Sequence, residues 1–409
     1  MEFNCDVKIV DAMMGAGKSS AAINYINQSN DEEKFLIITP YLREVERYKR
    51  ECPNKKFKQP TFSQGKGSKI ASIKTLINRG ENIVSTHALF QKFDNELIDT
   101  CRAKNYTLIM DEVANVIEEY CITIKDFDIL KKDFVTVDEE TGMITWRSDQ
   151  ADYSGEFSEI KRLCDLGSLA YYSGAIMMWL FPINAFNAFR KVFILTYMFN
   201  SQLQKYYYDF HRLSYKFLGV TNLNGNYSFS PENSKNGTTY CYRNLIHILD
   251  SEKMNMIGDR KTDLSATWFK RNSKNAAMKT LKNNLINFFR NIRNDNSKDN
   301  LWTTFKEYKS ALQGNGYSRG FLEINARATN DYMTRTSVAY VANRYMNPVI
   351  KKFFEVHGIE VNEDGYALSE MLQFIWRSAI RCGNEIWVYI PSSRMRNLLA
   401  DWIEENSKE

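Results

Sequence analysis

Residues 12–19, Ala-Met-Met-Gly-Ala-Gly-Lys-Ser, constrain this chain more than any other stretch. An apolar run at residues 7–10 leads in, and a helix-forming run at 21–26 leads out. Strand, tight glycine loop and helix is the context in which backbone N–H groups close round a phosphate. Gly15 and Gly17 lack a Cβ, so the loop can turn those groups inward, and the helix N-terminus adds partial positive charge. Met14, Gly15, Ala16, Gly17, Lys18, Ser19 and Ser20 are the expected phosphate-binding set. Lys18 would reach the β- and γ-phosphates of ATP, and the Ser19 hydroxyl would hold Mg²⁺. The consensus opens with glycine; Ala12 takes that position here.

Four further apolar runs repeat the pattern of a short buried strand with polar residues at its C-terminal end. They lie at 35–40, 82–87, 106–112 and 191–197. Short apolar strands between helical patterns predict a parallel α/β sheet, and such sheets place their sites at strand C-termini. The third run ends in Asp111 and Glu112. Behind a phosphate loop, that pair predicts Asp111 on Mg²⁺, partly through water. Glu112 is then the acceptor of the attacking water's proton.

Among the connecting segments, 134–137 and 143–146 predict a β-hairpin. Residues 171–189 carry no charge over 19 positions, but Gly174, Pro182, Asn184 and Asn187 interrupt them. A buried helix feeding the next strand is expected there, rather than a membrane span. Residues 222–238 are rich in Asn, Ser and Gly and read as an exposed loop. The domain change is expected near residue 200, giving units 1–203 and 204–409. In the second half, 274–292 reads as a basic amphipathic helix, 302–305, 321–325 and 385–391 as strands, and 368–381 as a helix.

A chain of 409 residues with 44% apolar content supports two cored domains and excludes a disordered composition. The net charge of +5 is unevenly spread. Residues 251–300 hold eleven Lys/Arg against five Asp/Glu, so that stretch is +6 and the remainder −1. It fits a solvated helix face or a nucleic-acid track. Seven unpatterned cysteines and four histidines argue against a zinc site and suit a reducing cytoplasm.

A third group, Gln373, Arg377 and Arg381, would project from nearly one face if 368–381 is a single helix. With it the chain resembles a superfamily 2 helicase of the DEAD/DEAH-like type, particularly phage-encoded forms. Residues 12–19 look like motif I, 39–41 like motif Ia, 111–114 like motif II, 195–197 like motif III, 325–330 like motif V and 373–381 like motif VI. The resemblance implies two RecA-like P-loop lobes with parallel sheets, plus inserted hairpin and loop elements. ATP with Mg²⁺ would be the cofactors. Single-stranded and forked DNA would be the substrate, with RNA as an alternative. Replication or recombination proteins would be the protein partners, in the host cytoplasm and without a membrane.

The resemblance also assigns roles by residue. Gln373 would contact ATP. Thr39, Pro40, Arg43, Ser85, Thr86 and His87 would grip nucleic acid from the first lobe, and Thr303, Arg327 and Thr329 from the second. Thr196 and Tyr197 would couple hydrolysis to lobe movement. Three departures stand out: no glutamine precedes the P-loop strand to read adenine, Trp376 replaces a usual glycine, and Ile380 occupies the usual second arginine position with Arg381 one later. The finger role stays open between Arg377 and Arg381. A helicase or translocase leads. An ATPase that remodels protein–DNA complexes without unwinding, and a P-loop small-molecule kinase, are the alternatives.

Overall fold

The computed structural model describes residues 5–40, 42–62, 67–231, 241–324 and 331–407. Two compact units divide the chain: Met1–Gly237 with Asn347–Val361, and Thr238–Met346 with Asn362–Glu409.

The first unit opens with β1 (Asp6–Asp11), α1 (Lys18–Gln28), β2 (Phe35–Thr39), α2 (Leu42–Glu51), β3 (Ile83–Thr86) and β4 (Thr107–Asp111). An insert follows, carrying β5 (Ile117–Cys121), β6 (Val135–Val137), β7 (Ile144–Trp146), β8 (Leu169–Ser173) and β9 (Ile176–Leu180). The chain then returns through β10 (Lys191–Thr196), β11 (Lys216–Leu223) and β12 (Asn226–Pro231). The main sheet has the order β12-β11-β1-β10-β4-β2-β3, parallel except for the antiparallel β11–β12 hairpin. Strands β2, β4 and β10 are nearly continuous apolar runs because both faces are covered, and only β1 is interrupted, by Lys8. Every residue of β2 and β4 is buried.

The insert forms a core of its own, in which Phe127, Leu130, Ile144, Trp146, Ile160 and Leu163 pack together. The β6–β7 hairpin is the one expected. The uncharged segment 171–189 differs from expectation: most of it is the β8–β9 hairpin, turning at Gly174 (φ 57°), and its helix is only Ile183–Phe186. Aromatic and β-branched residues alternating across a sheet explain the apolar run as well as a helix would.

The unit boundary also differs from the expected 203/204. β11 pairs in parallel with β1 and carries the chain across to β12, so residues 216–231 belong to the first sheet. The part of the expected loop at 232–238 lies outside the described residues. The helix Pro348–Val356 also belongs to this unit, with Phe353 against Tyr172 and Phe210, and Phe354 against Tyr206.

The second unit has a four-stranded parallel sheet in the order β13 (Ile246–Ile248), β16 (Ile386–Tyr389), β15 (Ser337–Tyr340), β14 (Asn300–Thr303). The expected strand at 321–325 is not formed in its described part, where Phe321 makes only an isolated bridge with Trp302. The sheet position is taken by the wholly buried β15. The basic helix runs from Ala276 to Ile286 and continues as a π-helix over Asn287–Ile292, burying Met278, Leu281, Leu285, Phe288 and Phe289. Among the described residues, no helix is long and apolar enough to cross a membrane.

Candidate nucleotide site

The C-terminal edge of the first sheet assembles the site. β10 lies between β1 and β4, with Asp11 in register with Thr196 and Leu195 with Asp111. Two backbone bonds tie this edge: Ala12 N–H donates to Thr196 O at 3.1 Å, and Glu112 N–H to Leu195 O at 3.0 Å. The carboxylate of Asp11 accepts the N–H groups of Met198 and Phe199, both at 2.9 Å, which fixes the turn after β10. Gln202 adds a bond from Nε2 to Thr196 Oγ1 (3.1 Å) and one to Tyr197 O (2.6 Å).

The phosphate loop leaves β1 at Ala12. Gly15 (φ 87°) and Gly17 (φ 89°) both adopt the left-handed conformation that a side chain would strain. Gly17 is the N-cap of α1 and supplies no side-chain cap; the first turn holds no acidic residue. Helical N–H groups at such an end suit an anion. Lys18 Nζ donates to the carbonyls of Ala12 (2.5 Å) and Met13 (3.1 Å), holding the ammonium within the loop. Met14 and Ala16 are half-buried within it.

Ser19 Oγ donates to Asp111 Oδ2 at 3.0 Å. One hydrogen bond thus joins the loop to the carboxylate pair. Burial, then the charges of Glu112 and Glu44, pushes the Asp111 carboxyl up to about 6; the Ser19 bond and Lys18 oppose this. Glu112, half-buried, has φ 79°, a conformation that costs a non-glycine residue about 1–2 kcal/mol. Strain of this size persists where the surroundings fix the backbone, as the Glu112–Leu195 bond does here.

Contacts from α2 add residues that the motif reading missed. Arg47 Nη2 donates to Ser20 Oγ at 2.9 Å while its Nε pairs with Glu51 at 3.1 Å. Ser20 is thereby turned towards α2. Spacing of i,i+4 predicts the Arg47–Glu51 pair but not the reach to Ser20. Asp11 and Arg47 carried no motif signal, since Met198, Phe199 and Ser20 lie far from them in sequence; Gln202 bonds close by, to Thr196 and Tyr197, but falls outside every motif.

The expected nucleic-acid residues divide by exposure. Thr39 (0% exposed) and Ser85 (3%) are inside, whereas Pro40 and Thr86 are half-buried and Arg43 is exposed. His87 Nε2 lies 3.3 Å from the carbonyl of Asp111. In the second unit Thr303 is fully buried at the end of β14. Tyr41, Arg327 and Thr329 lie outside the described residues, as does the whole segment 325–330.

The helical face expected for Gln373, Arg377 and Arg381 is not formed. The helix is Glu363–Ile375, Ser378 is extended, and a short 3-10 turn covers Ala379–Cys382. Ser378 Oγ donates back to Ile375 O at 2.6 Å, and Ala379 N–H bonds Arg335 O at 2.9 Å, which turns the chain out of the helix. Trp376 packs on Tyr242 and Trp402. Gln373 is half-buried on the helix, Arg377 is buried and Arg381 half-buried beyond its end.

The fit to Mg²⁺ and a nucleoside triphosphate is chemical. A hydroxyl and a carboxylate are hard oxygen donors, and Asp111, Glu112 and Glu44 make the local field negative. Among the described residues no three His, Cys, Asp or Glu side chains could hold a metal by themselves. Mg²⁺ at Ser19 and Asp111 would therefore need phosphate and water oxygens, its usual habit.

Residues 240–403 match the family model described as the YonV C-terminal Rossmann-like domain, and residues 117–179 the YonV middle domain. The latter spans the insert from β5 into β9. The SPbeta prophage-derived uncharacterized protein YonV of Bacillus subtilis (strain 168) is 40% identical over 408 residues, 97% of this chain and 98% of its own. Among solved structures, the DUF1998 helicase MrfA bound to DNA and AMPPNP is matched at 10% identity with a TM-score of 0.35, over 99% of this chain and 49% of that one. The chain spans about half that protein's length, and a likeness so weak carries no argument about fold or activity.

Proposed function

The chain belongs to the YonV family, and we propose that it is a nucleic-acid-dependent ATPase of the superfamily 2 type, a helicase or translocase on single-stranded and forked DNA. The observation that carries the ATPase reading is the 3.0 Å bond from Ser19 to Asp111. It brings a glycine loop with no side-chain cap on its helix N-terminus against a strand-end carboxylate pair, and phosphoryl transfer to water uses both of those parts. In this reading the loop and Lys18 bind the β- and γ-phosphates. Ser19 and Asp111 would hold Mg²⁺, which would supply positive charge to the phosphates. Glu112 accepts the proton of the attacking water.

The nucleic-acid half of the proposal rests on motif order and on the lysines of the basic helix and of the residue pair before it. Lys274 and Lys279 are exposed and Lys282 is half-buried. One observation favours the reading of a remodelling ATPase without unwinding. A strand-separating pin would come from residues 222–237, and their described part, 222–231, is hydrogen-bonded into the main sheet.

The test measures ATP turnover with and without single-stranded DNA, for the natural protein and Lys18→Ala, beside unwinding of 3′- and 5′-tailed DNA and RNA duplexes. Stimulated turnover that Lys18→Ala abolishes is the expected result. Unwinding separates the helicase from the remodeller. Normal turnover in folded Lys18→Ala would refute the P-loop assignment.

A further inference from the structure

We infer that Tyr227, on β12, is the shelf on which the base of the bound nucleotide stacks. This rests on the P-loop reading above and adds to it the residue that recognises the base. The direction of the nucleotide follows from the sheet order. β10 and β4 flank β1 on one side, and β11 and β12 on the other. The Ser19–Asp111 bond lies on the β4 side, so the residues that would hold the metal, and with it the γ-phosphate, are on that side. A triphosphate seated over the N-terminus of α1 then runs from γ to α away from β4. Its ribose and base leave towards the flank formed by β11 and β12.

Tyr227 occupies that flank. Its ring lies directly against Gly17: a Cβ placed on that glycine would collide with ring carbons Cδ1, Cε1 and Cγ. Tyr227 is half-buried. It packs with Ala12, Tyr25 and Phe229 against the core under α1. Asn24, on α1, fixes the strand beside it: Nδ2 donates to Tyr227 O at 2.9 Å and to Asn226 Oδ1 at 3.1 Å. The ring is therefore held in place before any ligand arrives, which lowers the ordering cost of binding. An aromatic face stacks on any base, so a shelf of this kind recognises a nucleotide without selecting among bases.

The competing explanation is that the ring only fills the space that Gly17 leaves open. Equilibrium binding of ATP and of inorganic tripolyphosphate, which has no base, to the natural protein, Tyr227→Phe and Tyr227→Ala separates the two. Stacking predicts that Tyr227→Ala weakens ATP about ten- to a hundredfold. Tripolyphosphate should bind all three proteins equally, which also shows that the loop still folds, and Tyr227→Phe should retain ATP affinity. If Tyr227→Ala leaves ATP binding unchanged, or weakens ATP and tripolyphosphate together, Tyr227 is packing and the inference is overturned. If the natural protein binds neither ligand, the P-loop reading itself fails.

Discussion

The Ser19 hydroxyl and the Asp111 carboxylate meet at 3.0 Å across 92 positions of sequence, because α1 starts where β1 ends and β4 ends two strands away. Asp111 sits there at a cost, since burial and neighbouring carboxylates push its pKa up to about 6.

Its raised pKa makes the free protein's stability depend on pH. The folded state holds the Asp111 proton more tightly than the unfolded chain, whose ordinary aspartate value is near 4. Asp111 therefore costs nothing below about pH 4. Its cost grows as pH rises through the interval from 4 to 6, then levels off at about 3 kcal/mol. Asp111→Asn keeps an acceptor for Ser19 and removes that cost. Melting temperatures should show the variant more stable than the natural protein at pH 8, with the gap closing by pH 4. Turnover of ATP should be lost. A gap that does not change with pH would mean that Asp111 titrates normally.

Glu112 separates chemistry from backbone strain. Glu112→Gln removes only the proton acceptor and should lower turnover by about 10²- to 10⁴-fold while ATP still binds. Glu112→Gly also removes the acceptor, but it relieves φ 79° and should raise stability by about 1 kcal/mol. Single-turnover hydrolysis with parallel denaturant titrations reads both effects. Full turnover in Glu112→Gln would remove Glu112 from the chemistry.

How much of this was legible in the sequence depends on how local each signal is. The runs that became β2, β4 and β10 are buried on both faces, so unbroken apolar residues ending in polar ones announce them, whereas Lys8 interrupts β1, which the glycine loop behind it announces instead. The glycine loop and Asp111-Glu112 are contiguous, and their meeting follows from the fold. The β11–β12 hairpin reads as a loop because Asn and Gly dominate its turn; Tyr227 and Phe229 alternate with Asn226 and Ser228 too briefly to outweigh them. The helix Pro348–Val356 shows an amphipathic period, yet nothing local says that its partners are Tyr172, Tyr206 and Phe210. At 373–381 the helical period runs on past Ile375, and only the contacts of Trp376 and Ser378 stop it.

The basic helix and Lys274 just before it offer a test of the nucleic-acid proposal. Reversing Lys274, Lys279 and Lys282 to Glu leaves the apolar side formed by Met278, Leu281 and Leu285 intact, so folding should hold. If all three neutralise phosphates, the slope of log affinity against log salt should fall by about 2 for single-stranded DNA. ATP turnover without DNA should stay as it was. Unchanged affinity at every salt concentration would make this face a solvated one.

The two arginines should separate by burial. Arg377 is 5% exposed and lies just past the end of the helix, so its stem belongs to the packing of the second unit. Truncation there should cost about 1–3 kcal/mol of stability. Arg381 sits in the 3-10 turn Ala379–Cys382 and is half-buried, so its removal should leave the melting temperature nearly unchanged. An arginine that meets charge developing on the γ-phosphate must give up its resting contacts, and Arg381, half-buried where Arg377 is buried, loses less packing in doing so. If it is the finger, Arg381→Ala should bind ATP normally yet lose on the order of 10³-fold in DNA-stimulated turnover, because its partner exists only in the transition state. Arg377→Ala should instead lose stability and activity together. Thermal melts beside single-turnover assays with and without single-stranded DNA resolve the pair. Full stimulated rates in a stable Arg381→Ala protein, with Arg377→Ala impaired only in folding, would remove both from the chemistry and leave the segment a structural turn.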